Sequence, residues 1–141
     1  AITHYIEALE DQSQNDFYAT RQLIEAYFKT EDYDKVIFYA DKINNHPEYK
    51  KSRTQFLYGL ALKRVGKMEE AENNLRQIDV RYSFYEERLI LAQFLLSIKK
   101  EADAKEILND VFTESSHMTK TNKHIYRTTI KEVETLLKEI G

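Results

Sequence analysis

The 141-residue sequence contains no cysteine, no tryptophan, one proline and three glycines. Without cysteine, the chain can form no disulfide, no thiolate zinc site and no cysteine nucleophile. A β-sandwich needs many glycine and proline turns, and a phosphate-binding fold needs a glycine-rich loop, so the composition argues against both. No apolar run approaches the roughly 20 residues of a membrane-spanning helix, and we therefore expect no membrane span in this segment.

The charge balance is mildly acidic. Lysine and arginine number 21 and aspartate and glutamate 24, which gives a net charge of −3. Nucleic-acid binding requires a basic stripe, so this balance favours a different kind of partner. Hydrophobic residues make up 42% of the chain and charged residues 32%, as is typical of a folded domain.

Apolar residues recur with the helical period along the whole chain, and no segment shows the period of two that is typical of a strand. Asp16 is a predicted N-cap, and Gly66 is a predicted helix end because glycine readily adopts positive φ. The sequence therefore predicts an all-α fold. The predicted helices cover about 1–10, 18–29, 32–44, 52–65, 68–78, 84–98, 101–112 and 121–140.

The predicted helices form pairs that align on the turn between their members. Residues 31–36 match 66–71 and 99–104, so the unit repeats after 35 and then 33 residues. Short turns between successive helices make the members of each pair antiparallel. The period predicts that the pairs stack into an α-solenoid.

The segments Tyr58-Gly59-Leu60-Ala61-Leu62 and Gly66-Lys67-Met68-Glu69-Glu70-Ala71 resemble the tetratricopeptide repeat family. The tryptophan that the family usually carries early in the first helix is replaced by Thr20, Gln55 and Arg88. The resemblance covers a single domain at 1–141. It implies a half repeat at 1–16, three repeats at 17–50, 52–84 and 85–117, and a C-terminal capping helix at 119–141.

The repeat register places residue 1 inside a repeat, so we expect this chain to be the C-terminal part of a longer protein. An isolated first helix would expose Ile2, Ile6 and Leu9, and such an apolar face favours a homodimer through that helix. The alternative is a complete domain whose first helix caps the array.

No catalytic or metal-binding motif is present in the sequence. His4, His46, His117 and His124 are scattered, and the chain contains no G-x-S-x-G, P-loop or H-E-x-x-H motif. Neighbouring helical carboxylates such as Glu69 and Glu70 point in different directions, which makes them a poor acid–base pair. We expect neither enzymatic activity nor a cofactor or metal ion.

In the tetratricopeptide repeat family the first helices line a concave face, and the resemblance implies the same face here. Basic residues outnumber acidic ones on it, which favours an acidic protein or peptide partner with apolar anchors. The residues expected to contact this partner are Tyr18, Arg21, Phe28, Arg53, Phe56, Leu60, Lys63, Arg64, Ile90 and Gln93.

The resemblance thus implies a non-catalytic protein–protein interaction scaffold that binds a peptide or helix on its concave face. The alternative is a self-association or intramolecular regulatory module attached to an upstream catalytic or membrane domain. The sequence argues against nucleic acid as the partner, and we expect no membrane span in this segment.

Overall fold

A computed structural model describes residues 2–12 and 16–141 of the chain. All regular secondary structure in these ranges is helical, which confirms the predicted all-α class. A short 3₁₀ helix also forms at Val80–Tyr82. The α-helices are α1 (Ile2–Gln12), α2 (Phe17–Lys29), α3 (Tyr33–Ile43), α4 (Arg53–Arg64), α5 (Met68–Leu75), α6 (Tyr85–Ser97), α7 (Glu101–Ser115), α8 (Lys120–Ile125) and α9 (Arg127–Ile140).

The chain divides into two compact units, an N-terminal unit at Ala1–Asp79 and a C-terminal unit at Val80–Gly141. In the N-terminal unit, each helix from α1 to α5 packs against the next one along the chain, and α2 also packs against α4. In the C-terminal unit, α9 packs against both α6 and α7, which also pack against each other.

The turns from α2 to α3, from α4 to α5 and from α6 to α7 have the same backbone geometry. Each contains one residue with positive φ, namely Glu31 at 60°, Gly66 at 89° and Lys99 at 64°. The amide of the next residue donates a hydrogen bond to the carbonyl five positions earlier, at 3.0, 2.9 and 2.8 Å respectively. This bonding pattern is the Schellman motif, which ends a helix at a left-handed residue. It recurs at the spacing found in the sequence.

A buried polar residue occupies the same place near the start of α2, α4 and α6. Thr20, Gln55 and Arg88 are 2%, 5% and 4% exposed. Thr20 donates to the carbonyl four residues earlier at 2.9 Å, Gln55 accepts from the amide four residues earlier at 2.7 Å, and Arg88 donates to the carbonyl five residues earlier at 3.0 Å. Each of these side chains thereby holds the segment that enters its helix.

The N-terminal unit contains a continuous apolar core. Its α4 and α5 helices approach closely at Gly59, where an added Cβ would lie 2.8 Å from the Leu75 side chain. Ile6 of α1 packs against this core, whereas the side chains of Ile2 and Leu9 lie outside the described residues. The fully or nearly fully buried core residues include Leu23, Ile24, Val36, Ala40, Leu57 and Ala61.

Two helix ends differ from those expected. α5 ends at Leu75 rather than Ile78, and near its end the Asn74 and Gln77 amides donate to carbonyls four residues earlier, at 2.9 and 3.2 Å. Such side-chain bonds compete with helix propagation. α7 continues three residues beyond the expected end at Phe112, through Ser115, which lies buried.

The expected helix at about 121–140 consists of two helices. The backbone of Tyr126 departs from helical geometry, with φ −98° and ψ 15°, and separates α8 from α9. The Tyr126 ring packs edge-on against the Tyr85 ring, with 5.0 Å between centroids. This aromatic contact lies at the break between the two helices. The periodicity of the sequence does not predict the break.

Candidate functional site

A depression of about 240 Å³ lies between α2 and α4 on the N-terminal unit. We call it the α2–α4 groove and define it by its lining residues, which are Tyr18, Arg21, Gln22, Glu25, Arg53 and Thr54. Arg53 and Thr54 belong to the first turn of α4, and the other four residues lie on the first three turns of α2, where α2 and α4 run side by side.

Side-chain caps fix where both helices begin. The Asp16 carboxylate accepts from the amides of Tyr18 and Ala19 at 2.9 and 3.3 Å, and the Ser52 hydroxyl accepts from the Gln55 amide at 3.3 Å. Such caps stabilise a helix end by about 1 kcal/mol each. They determine which residues of each first turn face the groove.

Arg21 is held by neutral partners. Its Nε donates to the Thr54 hydroxyl at 3.2 Å, and its guanidinium lies 5.6 Å from the centroid of the Phe17 ring. No carboxylate among the described residues forms an ion pair with Arg21. The positive charge of Arg21 is therefore oriented but not neutralised.

Arg53 and Glu25 form an ion pair across the groove. The Arg53 Nε donates to the Glu25 carboxylate at 2.8 Å, with the side chains 44% and 34% exposed. An exposed pair of this kind contributes less than about 1 kcal/mol to stability. It cancels one of the basic charges that the sequence placed on this face.

Aromatic side chains form one end of the groove. The Tyr18 ring is 56% exposed and packs edge-on against Phe17, while Phe17 stacks on His46. The Tyr18 hydroxyl donates to the Glu48 carboxylate, and this hydrogen bond raises the pKa of Tyr18 above its usual value. Tyr18 therefore presents an accessible ring face on a side chain that Glu48 anchors.

The structure brings three of the expected binding residues together in this groove: Tyr18, Arg21 and Arg53. Phe56 is only 1% exposed and belongs to the protein interior, so the expectation that it contacts a partner is corrected. The helical period gives the direction in which Phe56 points from α4. It does not tell whether a residue on that side of the helix is buried or lies on the surface.

The other expected residues lie elsewhere. Phe28 and Leu60 are half-buried and pack against the apolar core, and Lys63 is half-buried. The exposed Arg64 has its guanidinium 5.5 Å from the centroid of the Tyr33 ring. The remaining two, Ile90 and Gln93, are exposed on α6 of the C-terminal unit.

Sequence reasoning missed Gln22, Thr54 and Glu48. Gln22 lies one helical turn after Tyr18, so the helical period contained a signal for it. Thr54 follows Arg53 directly, and neighbouring side chains on a helix point in different directions, so the period contained no signal for Thr54. Glu48 lies between α3 and α4, outside any regular element, and no periodicity could have placed it beside Tyr18.

A second depression of the N-terminal unit has a different lining. It measures about 410 Å³, and five carboxamide side chains, Asn44, Asn45, Gln55, Asn74 and Gln77, contribute to its wall together with Tyr49, Tyr58 and Lys50. Gln55 donates to Asn74 at 3.1 Å. The buried Tyr49 hydroxyl has no hydrogen-bond partner among the described residues.

Within the described parts of the chain, no three or more histidine, aspartate or glutamate side chains are grouped so that they could hold a metal ion. Across residues 2–12 and 16–141, no helix has both the length and the apolar character needed to cross a bilayer. Comparison with family models, curated proteins and solved structures gives no match to this chain.

Proposed function

We propose that the protein is a non-catalytic protein–protein interaction scaffold whose helix pairs form an α-solenoid of the tetratricopeptide repeat type. The recurring Schellman turns at Glu31, Gly66 and Lys99 support this architecture, because a solenoid is built from one supersecondary unit repeated along the chain. The α2–α4 groove is the binding surface in this proposal.

The ligand of this groove is a peptide segment with a carboxylate and an apolar side chain. The Arg21 guanidinium meets the carboxylate, since Thr54 orients it and no carboxylate of the described residues neutralises it. The exposed ring of Tyr18 contacts the apolar side chain, and tyrosine is enriched among residues that dominate binding energy at interfaces. The juxtaposition of Tyr18 and Arg21 is the observation that carries the proposal.

The experiment selects peptides from a displayed random library on the wild-type chain and measures their affinity for two double variants. One is Tyr18→Ser with Arg21→Glu. Its matched control is Tyr82→Ser with Arg81→Glu, which makes the same chemical changes at an exposed tyrosine and a neighbouring arginine outside the groove.

We expect the groove variant to weaken binding of the selected peptides by about tenfold or more, since the loss of one interfacial anchor costs more than about 1.4 kcal/mol. The control should change affinity less than about twofold. The proposal fails if the library yields no binder, or if both variants reduce affinity equally.

Sedimentation of the wild-type chain tests the alternative of self-association. A monomer at high protein concentration removes the alternative, whereas a dimer that Tyr18→Ser with Arg21→Glu dissociates would identify a second copy of the chain as the occupant of the groove.

A further inference from the structure

The C-terminal unit contains a groove of about 460 Å³ that the proposed function does not use. It lies beside α7, α8 and α9, and we call it the α7–α9 groove. The residues that matter for its chemistry are Phe112, Lys123, Arg127, Ile130, Lys131 and Glu134.

Two apolar side chains form its floor. Phe112 is 44% exposed although it is a large aromatic residue, and Ile130 is half-buried. The hydroxyls of Ser115 and Ser116, which also border the groove, donate to carbonyls of their own helix at 2.6 and 2.7 Å. Because both hydroxyl protons are engaged, these serines offer a ligand no donor, and the contact that Phe112 and Ile130 provide is apolar.

Three cations follow one another along the groove at four-residue intervals: Lys123, Arg127 and Lys131. Arg127 and Lys131 are like charges four residues apart on α9, a spacing that destabilises a helix by about 0.2–0.5 kcal/mol, whereas Lys123 lies on α8. No carboxylate among the described residues forms an ion pair with any of the three. Among the described residues that border the groove, Glu134 is the one acidic side chain, so the local balance is positive in a chain of net charge −3.

The start of α9 adds to this positive potential. Arg127 is its first residue, its first turn contains no acidic side chain, and no side chain caps it. The dipole of a helix favours anions and disfavours cations at this end. The sequence thus places a cation where helices usually place a carboxylate.

We propose that the α7–α9 groove binds an acidic segment of a partner protein. A bulky apolar side chain of the partner packs between Phe112 and Ile130, and the flanking carboxylates face Lys123, Arg127 and Lys131. This surface is separate from the α2–α4 groove, and the proposal stands whether or not a peptide binds there.

The surroundings favour a peptide over a nucleic acid or a membrane. A nucleic acid or an anionic bilayer is a densely charged surface that repels a chain of net charge −3. Of the described residues that line this groove, three are cations, and Glu134 limits its positive field. An apolar floor between charged walls matches a segment that carries both carboxylates and one large apolar side chain.

The test measures fluorescence anisotropy of a short labelled peptide in which glutamates flank one central phenylalanine. The charge-reversal variant combines Lys123→Glu, Arg127→Glu and Lys131→Glu. Its matched control combines Lys35→Glu, Lys67→Glu and Lys105→Glu, which alters three exposed lysines elsewhere and gives the same net charge. We expect the first to weaken binding about tenfold or more and the control less than about threefold.

Two further comparisons separate the apolar contact from the charges. Phe112→Ser should weaken binding about threefold or more, and a peptide with glutamine in place of glutamate should lose affinity and salt dependence together. If circular dichroism shows that the triple variant is unfolded, the single variants Lys123→Gln and Arg127→Gln carry the charge test, with a loss of about twofold each.

Three results would overturn the proposal. The first is no binding of the glutamate peptide to the wild-type chain at low salt. The second is equal weakening by the groove variant and its control. The third is binding to phosphatidylserine vesicles or to an oligonucleotide in preference to the peptide.

Discussion

Arg88 and Glu114 form a bidentate ion pair between α6 and α7, with the two terminal nitrogens of the guanidinium 2.8 and 2.9 Å from the carboxylate oxygens. The two partners differ in exposure, since the Arg88 side chain is 4% exposed and that of Glu114 is 42% exposed. Arg88 also donates through Nε to the carbonyl of Ser83, just before α6. The pair therefore ties the entry of α6 to the end of α7.

This asymmetry predicts unequal effects of removing either partner. Glu114→Ala leaves a buried guanidinium without its counter-ion and should destabilise the protein by about 3 kcal/mol. Arg88→Met fills the same space and leaves a carboxylate that water reaches, so it should cost about 1 kcal/mol. Urea unfolding of both variants measures the difference. An equal loss in the two variants would contradict this account of the pair.

The three Schellman turns predict a second set of stability changes. Left-handed backbone costs a residue with a Cβ about 1 kcal/mol relative to glycine. Glu31→Gly and Lys99→Gly should therefore each stabilise the protein by about 0.5–1 kcal/mol, and Gly66→Ala should destabilise it by about 1 kcal/mol.

The control for these turns is Lys105→Gly, in the middle of α7. Glycine there should destabilise the protein by about 1 kcal/mol because the position is helical. Thermal unfolding ranks the four variants. Destabilisation by Lys99→Gly as large as that by Lys105→Gly would show that the turn does not hold a left-handed residue.

Much of this architecture could be predicted from the sequence, and the exceptions have physical causes. The positions of the three turns could be predicted because each turn interrupts the helical periodicity of the apolar residues. The prediction that Asp16 is an N-cap is confirmed. Phe56 was misplaced because helical periodicity does not tell a buried stripe from a concave surface. The ion pair of Glu25 and Arg53 joins residues on different helices, and such pairings leave no local signal.

Tyr49 provides a prediction about a buried hydroxyl. The side chain is 4% exposed, and its hydroxyl lacks a partner among the described residues. Tyr49→Phe removes the cost of that unpaired group and should stabilise the protein by about 1 kcal/mol. The comparison variant Tyr58→Phe removes a half-buried hydroxyl beside the Asp41 carboxylate, which raises the pKa of Tyr58, and it should not stabilise the protein. Destabilisation by Tyr49→Phe in urea would show that the hydroxyl has a partner.

We also expect Tyr49 to make the free energy of unfolding depend on pH in the alkaline range. Burial, together with the nearby Tyr58 and Asp41, raises the pKa of Tyr49 above its ordinary value. Above about pH 10 the Tyr49 phenol ionises in the unfolded chain but stays neutral in the folded state, because its pKa there is raised. The contribution of Tyr49 to the free energy of unfolding is therefore constant below about pH 10 and falls above it. Tyr49→Phe should reduce this fall, measured as urea unfolding at about pH 8 and about pH 10.5. An unchanged slope would contradict the assignment.

The most direct test of the central claim is an amide chemical-shift titration of the wild-type chain with a library-selected peptide. If the α2–α4 groove binds protein segments, the largest shifts fall on Tyr18, Arg21, Gln22 and Arg53. Shifts confined to the C-terminal unit, or no saturable shift at all, would contradict that claim.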